Sequence, residues 1–138
     1  MKTPQIACKI EAYAAVNPSE DPEKVQQAIS NVLQDMNFKY ENGSIKGISN
    51  DLRSLYKIYE TIKSRKSTRT YRRHMRYTLQ GDTTWFYLNK QAAFVNVIAL
   101  CEEAEESPLG PIKILLHSKN IDKVMEWLVP DLTEQSND

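Results

Sequence analysis

IACKIEAYAAVNPSEDPEKVQQAISNVLQDM, residues 6–36, holds the two periodicities that decide the fold. At its start, apolar residues alternate. Ile6, Cys8, Ile10, Ala12, Ala14 and Val16 project one way, and Lys9, Glu11 and Tyr13 the other. A strand turns successive side chains to opposite faces, so this spacing predicts a half-buried strand. Asn17-Pro18-Ser19-Glu20-Asp21-Pro22 then predicts a turn and a helix start. Asp21 can accept from the first free backbone N–H groups, and Pro22 suits the first helical position because it has no N–H to leave unpaired. Val25, Ala28, Ile29, Val32, Leu33 and Met36 follow at helical spacing on one face. A strand with one wet face, followed by a one-sided helix, calls for a sheet covered on one side.

Downstream, Phe38 and Tyr40 lead through Asn42-Gly43 to Ile45 and Ile48. An Asn-Gly pair predicts a tight hairpin, because both central positions need positive φ. Ser49 or Asn50 can cap a helix beginning near Asp51, whose apolar face is Leu52, Leu55, Tyr56, Ile58, Tyr59 and Ile62. Continued straight, that helix would put Lys66 and Arg73 in the middle of its buried face, which burial forbids. It must leave the core after Ile62 or bend around residues 64–68. After a turn at Gln80-Gly81-Asp82, residues 83–88 read as a strand, and Asn89 can cap a short helical turn over residues 90–94. Residues 95–101 are apolar on both alternations and predict a strand buried on both faces. An acidic loop over residues 102–111, a strand at Ile112, Ile114 and Leu116, and a helix from Asn120 to Pro130 close the pattern. The order is β α β β α β β β α. It predicts an α+β fold: a mostly antiparallel sheet with two long helices and a short C-terminal helix packed mainly on one face.

The 138 residues suit a single α+β domain over 1–132, with 133–138 an expected disordered polar tail. No apolar run is long enough to span a bilayer and no signal peptide opens the chain, so the expectation is a cytoplasmic protein without membrane contact. Cys8 and Cys101 each lie in an apolar segment with no metal-ligand spacing, which predicts buried, reduced thiols.

Formal charge is zero, with 18 Lys/Arg against 18 Asp/Glu, yet it is unevenly spread. Residues 63–76 hold seven of the basic groups, five of them Arg, and no acid. Arg65, Arg69, Arg72 and Arg76 would lie within about 60° of one another on a continuous helix. Such a stripe is either a solvated face answered by the protein's own acids or a surface for an anionic partner. Arginine suits bidentate phosphate contact and stacking on bases.

Other chemistry is sparse. His74 and His117 are isolated, with no metal-ligand spacing, no nucleophile elbow and no phosphate-binding glycine loop, so no metal, cofactor, catalytic residue or small-molecule substrate is expected. His74 sits among arginines, which disfavour its charged form. Glu102, Glu103, Glu105 and Glu106 are a solvated loop, a counter-surface to the basic stripe or a hard-cation site. Asn89-Lys90-Gln91 reads either as a cap and turn or as a donor-rich corner beside Trp85 and Tyr87. Those two rings alternate with Phe86 and Leu88, so one pair faces the core and the other a partner or solvent.

VNPSEDPEKV (16–25), FYLNKQAAFV (86–95) and ESPLGPI (106–112), with the closing EWLVP (126–130), resemble an archaeal family of uncharacterised, predicted RNA-binding proteins. The resemblance covers nearly the whole chain. It implies a fold like that of the fifth large-subunit ribosomal protein, and it brings no catalytic residues with it. Family members carry more aliphatic residues where this chain has 63–76. The expectation is therefore a non-catalytic RNA-binding protein. Lys63, Arg65, Lys66, Arg69, Arg72, Arg73, Arg76 and Lys90 are its candidate phosphate contacts, and Tyr71, Tyr77, Asn89 and Gln91 its candidate stacking or base contacts. The alternative is a homodimeric scaffold in which the basic stripe of one copy meets the acidic loop of another.

Overall fold

The computed structural model describes residues 3–132; the expected tail at 133–138 lies outside the described residues. The elements are β1 (Lys9–Ala15), α1 (Pro22–Val32), β2 (Asn37–Glu41), β3 (Ser44–Ser49), a 3-10 turn (Leu52–Leu55), α2 (Tyr56–Ser64), α3 (Thr68–Thr78), β4 (Thr83–Leu88), α4 (Lys90–Phe94), β5 (Leu100–Cys101), a second 3-10 turn (Ala104–Glu106), β6 (Ile112–His117) and α5 (Ile121–Leu128). The six strands form one antiparallel sheet in the order β2-β3-β1-β6-β4-β5.

Local chemistry fixes most of these elements. The Asp21 carboxylate accepts from Glu23 N at 2.9 Å, and Pro22 opens α1 as expected. Asn42 and Gly43 take φ 54° and 74°, so the β2–β3 hairpin turns on the pair that predicted it. The core collects Ile10, Ala12 and Ala14 of β1, Ile112, Ile114 and Leu116 of β6, and Phe86 and Leu88 of β4 on one face of the sheet. Against them lie Val25, Ala28 and Ile29 of α1, Ile58 and Ile62 of α2, Met75 of α3, and Val124 and Leu128 of α5. Burying each of the Val, Leu, Ile, Phe and Met side chains contributes roughly 2 kcal/mol. Cys8 and Cys101 are buried free thiols, and burial pushes the Cys8 thiol up to about 11.

The second helical segment ends where its buried face runs out. Lys66 takes φ 54°, with Lys66 N donating to Lys63 O at 3.2 Å and Ser67 N to Ile62 O at 3.0 Å. This is the left-handed helix stop usually given to glycine, here occupied by lysine. It separates α2 from α3 and takes Arg65 out of register with Arg69.

The same device overturns the strand expected over residues 95–101. Asn96 takes φ 63°, Asn96 N donates to Ala93 O at 3.0 Å and Val97 N to Ala92 O at 2.9 Å. The run is mostly the stop of α4, with Val95 and Val97 exposed and Ile98 and Cys101 buried; β5 shrinks to two residues.

Candidate nucleic-acid interface

α3 is held to the edge of the sheet by its apolar stripe, Thr68, Tyr71 and Met75. Tyr71 meets Phe86 edge-on at 5.8 Å between centroids and is buried, so it is a core residue and not a stacking surface. At the end of α3 the Thr78 hydroxyl donates to Trp85 O at 2.7 Å and accepts from Trp85 N at 3.2 Å. β5 pairs only with Tyr87 and Leu88, so this one side chain closes the main chain of β4 where no strand does.

Anchored in this way, α3 presents Arg69, Arg73 and Arg76 to solvent, with exposed Tyr77 beside them. Arg72 is different. Its side chain is 19% exposed and donates to Val129 O at 2.7 Å and Glu126 Oε2 at 3.3 Å, tying α3 to the end of α5. Arg73 lies 3.4 Å from Glu102. Arg65, at the end of α2, donates to Ile98 O at 3.0 Å, while Lys63 lies over the Tyr59 ring and Lys66 is exposed at the helix stop. The single four-arginine line through Arg65 is thus replaced by an arginine surface on α3 and a separate basic corner before it.

Lys90 is not on this surface. Its side chain is fully buried, and Nζ donates to Ala15 O at 2.9 Å, Leu109 O at 2.8 Å and Glu20 Oε1 at 3.0 Å. Asn17 Nδ2 reaches Glu20 Oε1 and Leu109 O, both at 2.8 Å, and Ser107 Oγ accepts from Lys90 N at 3.0 Å and donates to Gly110 O at 2.9 Å. Burial raises the pKa of the Glu20 carboxyl, but the backbone and side chain of Asn17 together with Lys90 outweigh it and hold the group below its ordinary range. The segments around Asn17, Lys90 and Ser107 that carry the family resemblance therefore meet in one buried polar knot. Asn89 is a cap, accepting from Ala92 N at 2.8 Å, and Gln91 is exposed, with its amide 3.5 Å from Pro108 O. In the acidic loop, Glu106 Oε1 accepts from Glu102 N at 2.6 Å and Glu103 N at 2.7 Å.

The sheet face turned away from the core carries a second set of groups. Register places Tyr87, Lys113, Tyr13, Lys46 and Lys39 side by side across β4, β6, β1, β3 and β2. Lys113 Nζ sits 4.7 Å from the Trp85 ring centroid, and Lys46 Nζ 5.4 Å from that of Tyr13. Trp85 also touches Tyr87, centroids 5.0 Å apart. Lys46 lies 3.1 Å from Glu11, to which the Tyr13 hydroxyl also donates. Burial raises the Glu11 pKa, but Tyr13, Lys46 and Lys9 outweigh it and leave the carboxyl below its ordinary range.

A cleft of about 620 Å³, lined by Arg73, Tyr77, Trp85, Tyr87 and Glu102 among others, joins this face to α3. His74 stands in it edge-on to Trp85, with centroids 5.9 Å apart, and its Nε2 is buried without a hydrogen-bond partner among the described residues. Burial, not the neighbouring arginines, pushes its pKa down, against the pull of Glu102 and Glu103.

Among the described residues no helix is long and apolar enough to cross a membrane. A family model described as RNA binding matches residues 9–118, from the first residue of β1 to just past the end of β6. A UPF0201 protein of Methanothermobacter thermautotrophicus is 35% identical over 125 residues, which is 91% of this chain and 93% of the relative. One from Sulfurisphaera tokodaii is 36% identical over 126 residues, covering 88% and 87%. The crystal structure of the UPF0201 protein from Methanococcus jannaschii superposes with a TM-score of 0.73 at 25% identity, covering 89% of this chain and 93% of that one. With the model matched over most of its length and the relatives covered nearly end to end, the chain belongs to the RNA-binding family whose archaeal members carry the name UPF0201.

Proposed function

We propose that this protein binds RNA without acting on it chemically, and that α3 supplies the phosphate contacts. The observation that carries this is the solvent-facing trio Arg69, Arg73 and Arg76 on a helix with no acidic residue, its buried face locked to β4 and α5. A rigid helix presenting guanidinium groups meets phosphates at small entropic cost. Lys63 and Lys66, exposed at the corner before α3, extend the same surface. Membership of a family whose model is described as RNA binding supports the choice of RNA as the polyanion.

Five such cations neutralising five phosphates predict that log K falls with log salt at a slope of about 3.5 on single strands. The test is a titration of RNA at two salt concentrations with wild type and Arg69→Glu/Arg76→Glu. The variant is expected to bind more weakly and to lose about 1.4 from the slope. An absence of wild-type binding at low salt refutes the reading. The Arg73–Glu102 pair within one chain supports a second reading, in which the basic surface of one copy meets the acidic loop of another. A homodimer built on that complementarity predicts a salt-sensitive dimer that RNA leaves intact, which light scattering in the same titration detects.

A further inference from the structure

We infer that the open face of the sheet is a stacking platform for the unpaired bases of single-stranded RNA, with Trp85, Tyr87 and Tyr13 as the rings. This deepens the RNA-binding reading and rests on it. The helices of the core pack on the other face, and among the described residues the groups resting on these rings are Lys113, Lys46 and, at the α3 side of Trp85, His74. Each ring is half-exposed.

The groups resting on the rings are themselves informative. Lys113 lies over Trp85 and Lys46 over Tyr13. An ammonium on an accessible ring is exchangeable, and a stacked base holds such a ring more strongly. The displaced lysine then stands beside the same nucleotide, where its phosphate lies. Aromatic and cationic groups alternating along one row supply both needs of a single strand, a π-face for the base and a positive charge for the backbone.

Spacing favours a single strand over a duplex. Tyr87 and Tyr13 are two strands apart, separated by β6, which places them about 10 Å from one another. Bases stacked in a duplex repeat about every 3.4 Å and hide their faces, so only splayed bases reach both rings. Charge disfavours a second copy of the chain as the occupant. A two-fold contact would set Lys46 and Lys113 against themselves, while Glu11 already carries Lys46 and Tyr13 and Glu41 already answers Lys39 at 3.4 Å. The platform continues into a cleft that carries Arg73 but also Glu102, Glu103 and Glu105, so a strand that reaches the arginines of α3 passes on the Arg73 side, away from the carboxylates.

The test uses the whole chain with Trp127→Phe, which leaves Trp85 as its only tryptophan. A short oligouridylate is expected to quench Trp85 fluorescence. Tyr13→Ala and Tyr87→Ala are each expected to weaken oligouridylate binding about tenfold. Binding of a duplex of equal length, and the salt slope, should stay unchanged. Tyr87→Phe keeps the ring and should bind as wild type, and the quench needs no change to the platform at all. If Arg69→Glu/Arg76→Glu loses RNA while the tyrosine variants bind normally and Trp85 is not quenched, the platform is overturned and the RNA-binding reading stands. If sedimentation shows a wild-type dimer that the tyrosine variants dissociate, the face belongs to a second copy and the inference fails. If no form binds RNA at low salt, both readings fall together.

Discussion

Replacing Lys90 with methionine removes the ammonium from the buried knot while keeping most of the apolar stem. Three hydrogen bonds go with it, to Ala15 O, Leu109 O and Glu20 Oε1. Breaking one partner out of a buried ion pair costs about 3–5 kcal/mol, chiefly because the other charge stays behind unpaired. The donors that remain place this case at the lower end. Glu20 Oε1 keeps the donors Asn17 N at 3.0 Å and Asn17 Nδ2 at 2.8 Å, and Leu109 O keeps Asn17 Nδ2. Glu20 Oε2 lacks a hydrogen-bond partner among the described residues, which keeps the cost from falling below that range. The working value is about 3 kcal/mol, which lowers Tm by about 9 °C in a chain of this size.

Thermal and urea unfolding followed by circular dichroism at neutral pH measure this, and the loss should persist at high salt because a buried pair is little screened. Adding Glu20→Gln removes the stranded charge, so the double variant should regain part of the lost stability. A Tm loss below about 3 °C, equivalent to 1 kcal/mol, or a double variant worse than the sum of its parts, refutes the reasoning. Lys90→Met should also leave the salt slope of RNA binding untouched. A change there would return Lys90 to the phosphate surface.

Acidification and edge closure give two further tests. The folded state favours neutral His74, whereas the unfolded chain takes up the proton at the ordinary pKa of 6.5. Stability is therefore full above that pH and falls as pH drops through it, while Glu11 and Glu20, held down from 4.5, begin to contribute losses only at lower pH. His74→Phe should flatten unfolding free energy between about pH 5 and 6.5, and an unchanged slope there counts against burial as the cause. Thr78→Val keeps the shape of the side chain but leaves Trp85 N and O unpaired at the sheet edge. It should cost about 1–3 kcal/mol and speed hydrogen exchange at the Trp85 amide, and unaltered exchange would show that the hydroxyl does not close the edge.

What the sequence revealed and what it hid have separate physical causes. β1, α1 and the Asn42-Gly43 hairpin are local structures whose residues carry both the periodicity and the caps, so they are legible from short windows. The end of the second helix, at Ser64, is also legible, because a buried stripe whose last member is Ile62 cannot continue through Lys66. The apolar run after α4 misled because a buried strand and an exposed helix stop share the same composition; Asn96, tolerant of positive φ, was the available signal. Tyr71 was readable as core from its spacing with Thr68 and Met75, although its setting among arginines argued for the surface. Lys90 was not readable. A lysine beside amides looks like a surface donor, and only the fold brings Ala15, Glu20 and Leu109 to its tip. The open-face row was equally hidden, since Tyr13, Lys46, Lys113 and Tyr87 become neighbours only through strand register.

The central pairing of β1 with β6 also bears on how the chain is made. β1, β2 and β3 come from residues 9–49, and β4, β5 and β6 from residues 83–117, so each half of the sheet assembles from sequence neighbours. The line joining the halves, Lys9 opposite His117 through Ala14 opposite Ile112, links the first strand of the sheet to the last. Closing so long a loop is the slow step of such a topology. The bonds from Lys90 to Ala15 and Glu20, and from Ser118 Oγ to Ala7 O, cross the same line and form only once it closes. During synthesis, β1 waits with one bare edge until residue 117 has left the ribosome. A nascent chain paused before β6 therefore exposes the sheet's middle, the surface most prone to pair with another copy.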